Sequence, residues 1–295
     1  MNKEKLIGVI SVAIGACSYG ALASIVKLAY LDGFKLPEVT FAQYSVGWVL
    51  FLILFLIRPK ESLSSAQVIK LIGFGTTLGL TGLLYYQSVK YIPVSFAIVL
   101  LMQSTWMGII LDRIVLKHKI SITKLIGSLL VISGAVLCSN VYNKDISLDF
   151  IGLTWGLLAA VSYTITIYAS AHIVPQLNTI QRTFWLSSGG FAIIVMFVGY
   201  SSTEASFNFE IFNYWGLLLA LFGTVLPPFL FAYGMPKVGV STGTILGALE
   251  LPVSVTCAYI FLNENLTLLN IIGLILILSA IVLVNLKAQP ADNLS

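Results

Sequence analysis

Ten apolar runs, each long enough to cross a bilayer, account for most of this sequence. A membrane-spanning helix needs about 20 mostly apolar residues at a rise of about 1.5 Å per residue. The runs are Leu6–Tyr30, Val39–Ile57, Val68–Val89, Ile92–Leu116, Ile122–Val141, Phe150–His172, Ile180–Tyr200, Tyr214–Gly234, Val238–Leu262 and Leu266–Leu286. Because only a helix satisfies its backbone polar groups within one span, the runs predict an all-α integral membrane protein with ten transmembrane helices.

The overall composition excludes a water-soluble domain. Charged residues make up 9% of the chain and hydrophobic residues 58%, whereas soluble domains carry about 25% charged residues. The basic residues lie between the apolar runs, so the net charge of +4 does not indicate a nucleic-acid partner. Cys17, Cys138 and Cys257 all fall inside apolar runs, which favours buried thiols over disulfides. With two histidines and no pair of cysteines at metal-ligand spacing, we expect no zinc or iron site.

Lysine and arginine are distributed unevenly between the two sets of connectors. If the N-terminus is cytoplasmic, the cytoplasmic side carries twelve of them and the outer side three, Lys35, Lys90 and Lys144. The positive-inside rule therefore predicts that both termini are cytoplasmic, in a bacterial-type inner membrane. The N-terminal residues up to Ala23 also have features of a cleaved signal peptide, but the repeat described next favours a permanent helix.

The second half of the chain repeats the first. Ile7-Gly8 and Ser18-Tyr19 recur as Ile151-Gly152 and Ser162-Tyr163, at an offset of 144 residues. Further along, Gly127 and Gly273 match at an offset of 146. The repeat divides the chain into 1–145 and 146–295, with five predicted helices each. Since five spans reverse the starting side, the two copies are predicted to be inverted, as in many secondary transporters.

Two short blocks of the second half resemble the EamA family of the drug/metabolite transporter superfamily. The first runs from Gly239 to Glu264 and includes Leu249-Glu250-Leu251-Pro252, and the second is Gly273 in the last span. The first half departs from the family pattern, with Trp106 in place of the proline and His118 in place of the glutamate. The resemblance covers essentially the whole length. It implies a transporter of metabolites, often an exporter of amino acids or related compounds, that needs no cofactor.

Glu250 lies near the middle of the ninth predicted span. A carboxylate at that depth costs at least about 2.5 kcal/mol, so it is expected to face a cavity or a partner. Two interpretations are open: a group that binds a cation or exchanges protons at the transport site, or a protonated structural residue bonded to a neighbouring helix.

Two further charged positions have competing interpretations. Lys27 is expected either to extend its amine to the headgroups or to pair with Glu250 or a substrate carboxylate. Asp112 and Arg113, near the cytoplasmic end of the fourth span, favour an interfacial or gate ion pair over a substrate site.

Proline and glycine mark where helices should bend or pack closely. Pro252 in the ninth span and Pro227-Pro228 in the eighth remove backbone donors and should bend or break those helices. Gly243 and Gly247, four residues apart, offer a small face for close helix contact. Interrupted helices near Glu250 are where we expect the binding site.

Aromatic and amide side chains supply candidate walls for a substrate cavity. Gln103 and Trp106 lie one turn apart on one face of the fourth span, and Tyr85 and Tyr163 are further candidates. Such walls suit a neutral or zwitterionic, partly apolar solute. An interfacial aromatic belt is the alternative for most of the set, which also contains Tyr44, Trp48, Tyr86, Gln87, Tyr168 and Trp185.

The combined pattern predicts a secondary transporter rather than an enzyme. The chain contains no Gly-x-x-x-x-Gly-Lys-Ser/Thr loop, so energy must come from a solute or ion gradient, and protons are the candidate coupling ion. The predicted partners are a small-molecule substrate and membrane lipid, while substrate identity, direction and oligomeric state stay open. An integral-membrane enzyme, or a channel or sensor without a transport cycle, is the alternative.

Overall fold

The computed structural model describes residues 3–92, 94–139, 149–201, 207–263 and 265–286. Within these ranges every regular segment is helical. The first half contains α1 (Lys3–Leu31), α2 (Leu36–Ile57), α3 (Ser65–Tyr91), α4 (Val94–Leu101), α5 (Ser104–Val115) and α6 (Ile122–Cys138). The second half contains α7 (Phe150–His172), α8 (Thr179–Ser201), α9 (Trp215–Leu219), α10 (Leu226–Val238), α11 (Val240–Gly247), α12 (Glu250–Leu262) and α13 (Leu268–Leu286). Val141, Lys144 and Glu264, which the sequence analysis used, lie outside the described residues.

These helices form ten spans, which confirms the predicted fold class. Nine spans in the described part of the chain are long and apolar enough to cross a membrane, and α6, with 17 residues, is the shorter tenth. Three spans contain more than one helix. The fourth joins α4 to α5, the ninth joins α11 to α12, and the eighth joins α9 to α10 through a π-helical segment, Ala220–Val225.

Large apolar side chains cover the outside of the bundle. Ile57, Ile69, Met196 and Leu268 are each at least 70% exposed. A soluble protein rarely leaves so many large apolar side chains uncovered, whereas lipid chains solvate them well. The exposure pattern therefore agrees with a multi-pass membrane protein.

The two halves interleave rather than standing side by side. The most extensive helix contacts all join one half to the other: α3 with α7 and α8, α1 with α10 and α12, α2 with α8, and α6 with α13. The third span thus packs on the sixth and seventh, and its repeat equivalent, the eighth, packs on the first and second. This exchange is what a two-fold relation between inverted repeats requires.

Glycines allow the closest of these helix contacts. The Cα atoms of Gly75 and Gly79 lie against the backbone of Leu186 and Gly190, so α3 and α8 touch without intervening side chains. Gly239 has a different role, because it joins α10 directly to α11. Its φ of 79° lies in a region that favours glycine.

Hydroxyl groups join α3 to α7 in the interior. Thr166 donates to Thr77 Oγ1 at 2.7 Å, and Thr81 donates to Ser162 Oγ at 3.0 Å. Ser162 in turn donates to the backbone carbonyl of Thr77 at 3.1 Å. Such interhelical bonds take the place of the hydrophobic driving force that is missing inside a bilayer.

Candidate functional site

The ninth span is interrupted immediately before Glu250. We call this the ninth-span break: α11 ends at Gly247, Ala248 and Leu249 form a tight turn, and Glu250 is the first residue of α12. The N–H groups of Leu249 and Leu251 donate three residues back, to Leu246 and Ala248, as in a 3₁₀ turn. Short 3₁₀ segments inside long helices often mark hinges.

Pro252 occupies the third position of α12. Residues in the first turn of a helix have no intrahelical acceptor for their N–H groups, so proline fits there without losing a bond. The interruption therefore lies just before Pro252, and the proline sits within the new helix.

The fourth span has the same interruption at the equivalent position. The fourth-span break consists of Met102 and Gln103, and α5 begins at Ser104, the residue that the 146-residue offset equates with Glu250. Gln103 and Leu249 share one backbone conformation, with φ of −60° and ψ of −20°. Gln103 also donates three residues back, to Leu100, as Leu249 does to Leu246. The fourth and ninth spans of the two inverted halves are therefore interrupted at the same place.

Glu250 lies half-buried among tyrosines. Tyr19, Tyr85, Tyr86 and Tyr163 are all close enough to interact electrostatically with its carboxylate. Within the described residues the carboxylate forms no hydrogen bond or ion pair. A carboxylate at a helix N-terminus also faces the positive end of the helix dipole. The arrangement leaves Glu250 available to a cation, a proton or a donor group of a substrate.

Two glycines bring neighbouring helices close to the ninth-span break. The Cα of Gly20, in α1, lies against the backbone carbonyl of Glu250. On the other side, a side chain added at Gly247 would begin 3.1 Å from the hydroxyl of Tyr163, and that buried hydroxyl has no hydrogen-bond partner. Gly243, one turn earlier, lies against Met235 and Ile167. The break is thus held between α1 and α7 by short contacts.

The eighth span changes its hydrogen bonding before Pro227 and Pro228, which are the second and third residues of α10. The carbonyl of Gly223 would receive an N–H from residue 227 in an α-helix or from residue 228 in a π-helix, and both residues are proline. In the π-helical register the N–H of Leu226 bonds the carbonyl of Leu221. The carbonyl of Phe222 would then need the N–H that Pro227 lacks, and it accepts a hydrogen bond from the hydroxyl of Ser18 instead, at 2.9 Å. Two prolines therefore leave an unusual acceptor at membrane depth.

A small cavity lies beside this segment. Its walls include Tyr19, Tyr44, Trp48, Ser187, Gly223 and Thr224. About 10 Å³ is left for water, close to what a single water molecule needs. Tyr19 belongs both to this cavity and to the group of tyrosines around Glu250, so it connects the two.

The structure does not bring all predicted residues together. Gln103 and Trp106 contact each other, with the indole N–H donating to the Gln103 amide oxygen at 2.8 Å. Trp106 is 37% exposed, so it is not enclosed in a chamber. Lys27 is exposed on α1, seven residues beyond Gly20, which corresponds to about 10 Å along the helix. Tyr85 and Tyr163 lie near Glu250, while the pairing of Lys27 with Glu250 stays a prediction.

Sequence reasoning missed the role of Asp112 as a link between halves. It was paired with Arg113, but Asp112 is buried and accepts hydrogen bonds from the backbone N–H and hydroxyl of Ser241, at the start of α11. Lys124 lies 3.8 Å from the same oxygen. Asp112 therefore caps a helix of the other half, at the end of the bundle predicted to be cytoplasmic.

Arg182 is a second residue that sequence reasoning missed. By the positive-inside rule it is one of the twelve basic residues expected at the cytoplasmic side, yet its side chain is 1% exposed. Its Nε and Nη1 nitrogens are buried without a hydrogen-bond partner. No sequence signal distinguished it from the other loop-proximal basic residues. As for metals, no group of three or more His, Cys, Asp or Glu side chains in the described ranges is placed to hold an ion.

Comparison with known proteins identifies the family. The profile of the EamA-like transporter family matches the chain twice, at residues 6–140 and 150–286. The chain belongs to the EamA-like transporter family. This family is part of the drug/metabolite transporter superfamily, so the resemblance inferred from the Leu249–Pro252 block is confirmed, and the protein has a general transport role. The two matches also fit the internal repeat.

Two individual proteins show what this EamA-like chain is similar to. An uncharacterized transporter from Archaeoglobus fulgidus is 26% identical over 133 residues, which are 45% of this chain and 47% of that protein. The match thus spans about half the length of that relative. A crystal structure described only as "Crystal structure of protein" has a TM-score of 0.74 and 14% identity, covering 98% of this chain and 99% of its own. At that identity the likeness shows the fold alone.

Proposed function

We propose that this protein is a secondary transporter that moves a small organic metabolite, an amino acid or a related compound, by alternating access. The observation that carries the proposal is the pair of equivalent breaks, Met102–Gln103 and Ala248–Leu249, one in each inverted half. A hinge in each half lets the bundle open to one side of the membrane or to the other.

Contacts at the ends of the bundle support a two-sided cycle. Asp112 of the first half holds Ser241 of the second, and the cavity beside Gly223 has room for about one water molecule. Opening toward this end requires the Asp112–Ser241 contact to separate, while the opposite end closes. Export or exchange then follows from the order in which the two ends open.

Glu250 supports coupling to protons. It is the first residue after the ninth-span break, half-buried and without a hydrogen bond to any described residue. Gaining or losing a proton at this position changes the charge next to the hinge, so the two protonation states favour different arrangements of α11 and α12.

The proposed location is a bacterial-type inner membrane, with both termini in the cytoplasm. The support is the excess of lysine and arginine in one set of connectors. A cleavable tag fused to each terminus in turn tests this orientation. Protease added to inside-out vesicles should remove both tags, and removal of only one would contradict the ten-span arrangement.

Counterflow in proteoliposomes tests the proposed function. Purified protein is reconstituted, loaded in turn with a panel of amino acids, their amides and related metabolites, and given trace radiolabelled solute outside. A transporter should accumulate label transiently, saturate with solute, and show faster uptake when the lumen holds the same solute.

The alternatives give different results in the same assay. A channel would pass label without stimulation by internal solute, a sensor would pass none, and an enzyme would change the label chemically. Any of these three outcomes, across the whole panel, would overturn alternating access.

A further inference from the structure

Arg182 is a buried cation whose charge no residue in the described ranges compensates. It lies near the start of α8, is 1% exposed, and is among the largest fully buried side chains. Its Nε and Nη1 nitrogens have no hydrogen-bond partner, and it forms no ion pair with any described residue. A buried guanidinium is strongly disfavoured unless an anion or several acceptors compensate its charge.

Glu61, in the connector between α2 and α3, contacts the start of α8 through other groups. Glu61 accepts a hydrogen bond from the backbone N–H of Asn178, just before α8 begins, at 3.2 Å. The backbone of Glu61 is bonded to the amide of Gln181, which neighbours Arg182 in the chain. Glu61 therefore anchors the connector to the start of α8 and does not neutralise Arg182.

A second unpartnered donor lies on the same face of α8. Trp185 follows Arg182 by three residues, and residues at that spacing neighbour each other on a helix surface. Its indole nitrogen is buried and has no partner. The ring itself is fixed by edge contacts with Phe55 and Phe184, at 5.7 and 5.0 Å between centroids.

The surroundings of these donors are mostly apolar. Trp185 packs against the cluster formed by Leu71, Ala169 and Leu186, so α3 and α7 also border this region. In apolar surroundings each hydrogen bond to an ion is stronger than in water. Two buried donors with no acceptor, one of them cationic and three residues from the other on α8, match a carboxylate, which a guanidinium binds through parallel hydrogen bonds.

We propose that Arg182 and Trp185 form a subsite that binds the carboxylate of the transported solute within the half of α8 nearer the α7–α8 connector. The subsite rests on the proposed function only in assigning the carboxylate to the solute. A solute with both an amine and a carboxylate places its anionic end here. Removing the carboxylate, as in a primary amide, removes the group that compensates Arg182.

Ligand-induced stabilisation of the full-length protein tests this subsite without any flux. The protein is placed in nanodiscs of neutral phosphatidylcholine, and its thermal unfolding is followed with acetate, phenylacetate and L-phenylalanine, each beside its primary amide. At least one acid should raise the unfolding temperature more than its amide does. Equal effects of every acid and its amide would overturn the proposal.

Three variants locate the effect. Arg182→Gln should weaken acid binding about tenfold or more, and Arg58→Gln, at an exposed position, should leave it unchanged. Without ligand, Arg182→Gln should unfold at a higher temperature than the wild type, because an unpaired buried charge has been removed. A purely structural Arg182 would give the opposite sign. If Arg182→Gln does not fold, Trp185→Phe keeps an aromatic ring, removes the indole N–H, and should weaken acid binding about threefold.

Two further outcomes would overturn the assignment. One is an acid preference that persists in Arg182→Gln. The other is stabilisation by nanodiscs of anionic phosphatidylglycerol with no response to the acids, which would make a lipid phosphate the ligand. Because binding is measured without a gradient, a negative counterflow assay would overturn the transport cycle and leave this result standing.

Discussion

The fourth-span and ninth-span breaks have the same backbone geometry but different side chains. At the fourth-span break, Thr105 donates to the carbonyl of Met102 at 2.9 Å and exchanges a hydrogen bond with Ser128 at 2.7 Å. Gln103 donates to the carbonyl of Val99 at 3.1 Å. Side chains thus bridge this break and tie it to α6.

The ninth-span break has none of these bridges within the described residues. The repeat equates Thr105 with Leu251 and Ser128 with Leu274, both apolar. Its polar side chain is Glu250, which stands where the fourth-span break has Ser104. We infer that the fourth-span break is the more rigid of the two and that the ninth-span break responds to charge. The repeat supplies two hinges, and divergence of side chains gives them different tasks.

The largest effect is expected when a carboxylate is introduced at the fourth-span break, at the position equivalent to Glu250. Ser104→Glu places it where Ser104 is 1% exposed and its hydroxyl has no partner. The variant should be destabilised by at least about 2.5 kcal/mol, measured by SDS-induced unfolding in mixed micelles. Ser104→Ala is the control and should change stability little. Normal stability of Ser104→Glu would show that either break accepts a carboxylate.

The contact between Gly20 and Glu250 provides a second, smaller effect. In Gly20→Ala the added methyl would lie 2.7 Å from Cβ of Val253 and against the Glu250 carbonyl, so α1 and α12 must move apart. We expect a loss of about 1–3 kcal/mol in unfolding free energy. Gly73→Ala, a helical glycine with nothing within 4 Å, should instead be neutral or stabilising by up to about 1 kcal/mol. Equal effects of the two substitutions would mean that this contact does not constrain the break.

The sequence predicted the spans better than the breaks. Length and apolarity determine where a helix can cross a bilayer, so the ten spans could be derived from the apolar runs alone. The position of the ninth-span break could not, because proline is tolerated in the first turn of a helix as well as after a kink. Pro252 therefore indicated the region, while the interruption itself is at Ala248–Leu249.

The fourth-span break carried a weaker signal still. Trp106 replaces the equivalent of Pro252, so no proline stands near Met102–Gln103 to suggest a bend there. The repeat offset was the one signal that pointed there. The burial of Arg182 depends on which helices surround α8, and a basic residue near a connector is usually at the interface. Tertiary packing, and not local pattern, decides such positions.

Solute counterflow by the Glu250→Gln variant measures the role of charge at the ninth-span break. The amide keeps the shape and removes the titrating group, so counterflow should fall about tenfold, equivalent to about 1.4 kcal/mol, and become nearly independent of pH. Glu4→Gln, at an exposed position near the N-terminus, is the matched control and should retain the wild-type profile. An unchanged rate and pH dependence in Glu250→Gln would remove the proton role and leave Glu250 as a structural residue.

The smallest expected effect is the coupling across the fourth-span break. Thr105→Val and Ser128→Ala each remove one side of a buried hydroxyl pair, and a double-mutant cycle isolates the bond between them. Within membranes such bonds contribute about 0.6 kcal/mol on average, so we expect a coupling of that size in unfolding free energy. The equivalent cycle with Leu251→Val and Leu274→Val joins no polar groups and should give a coupling near zero. Because the two pairs occupy equivalent positions, their difference measures how far side chains alone have made one break more rigid than the other. Equal couplings would mean that the hydroxyl bridge contributes nothing, and that the different behaviour of the two breaks depends on Glu250 alone.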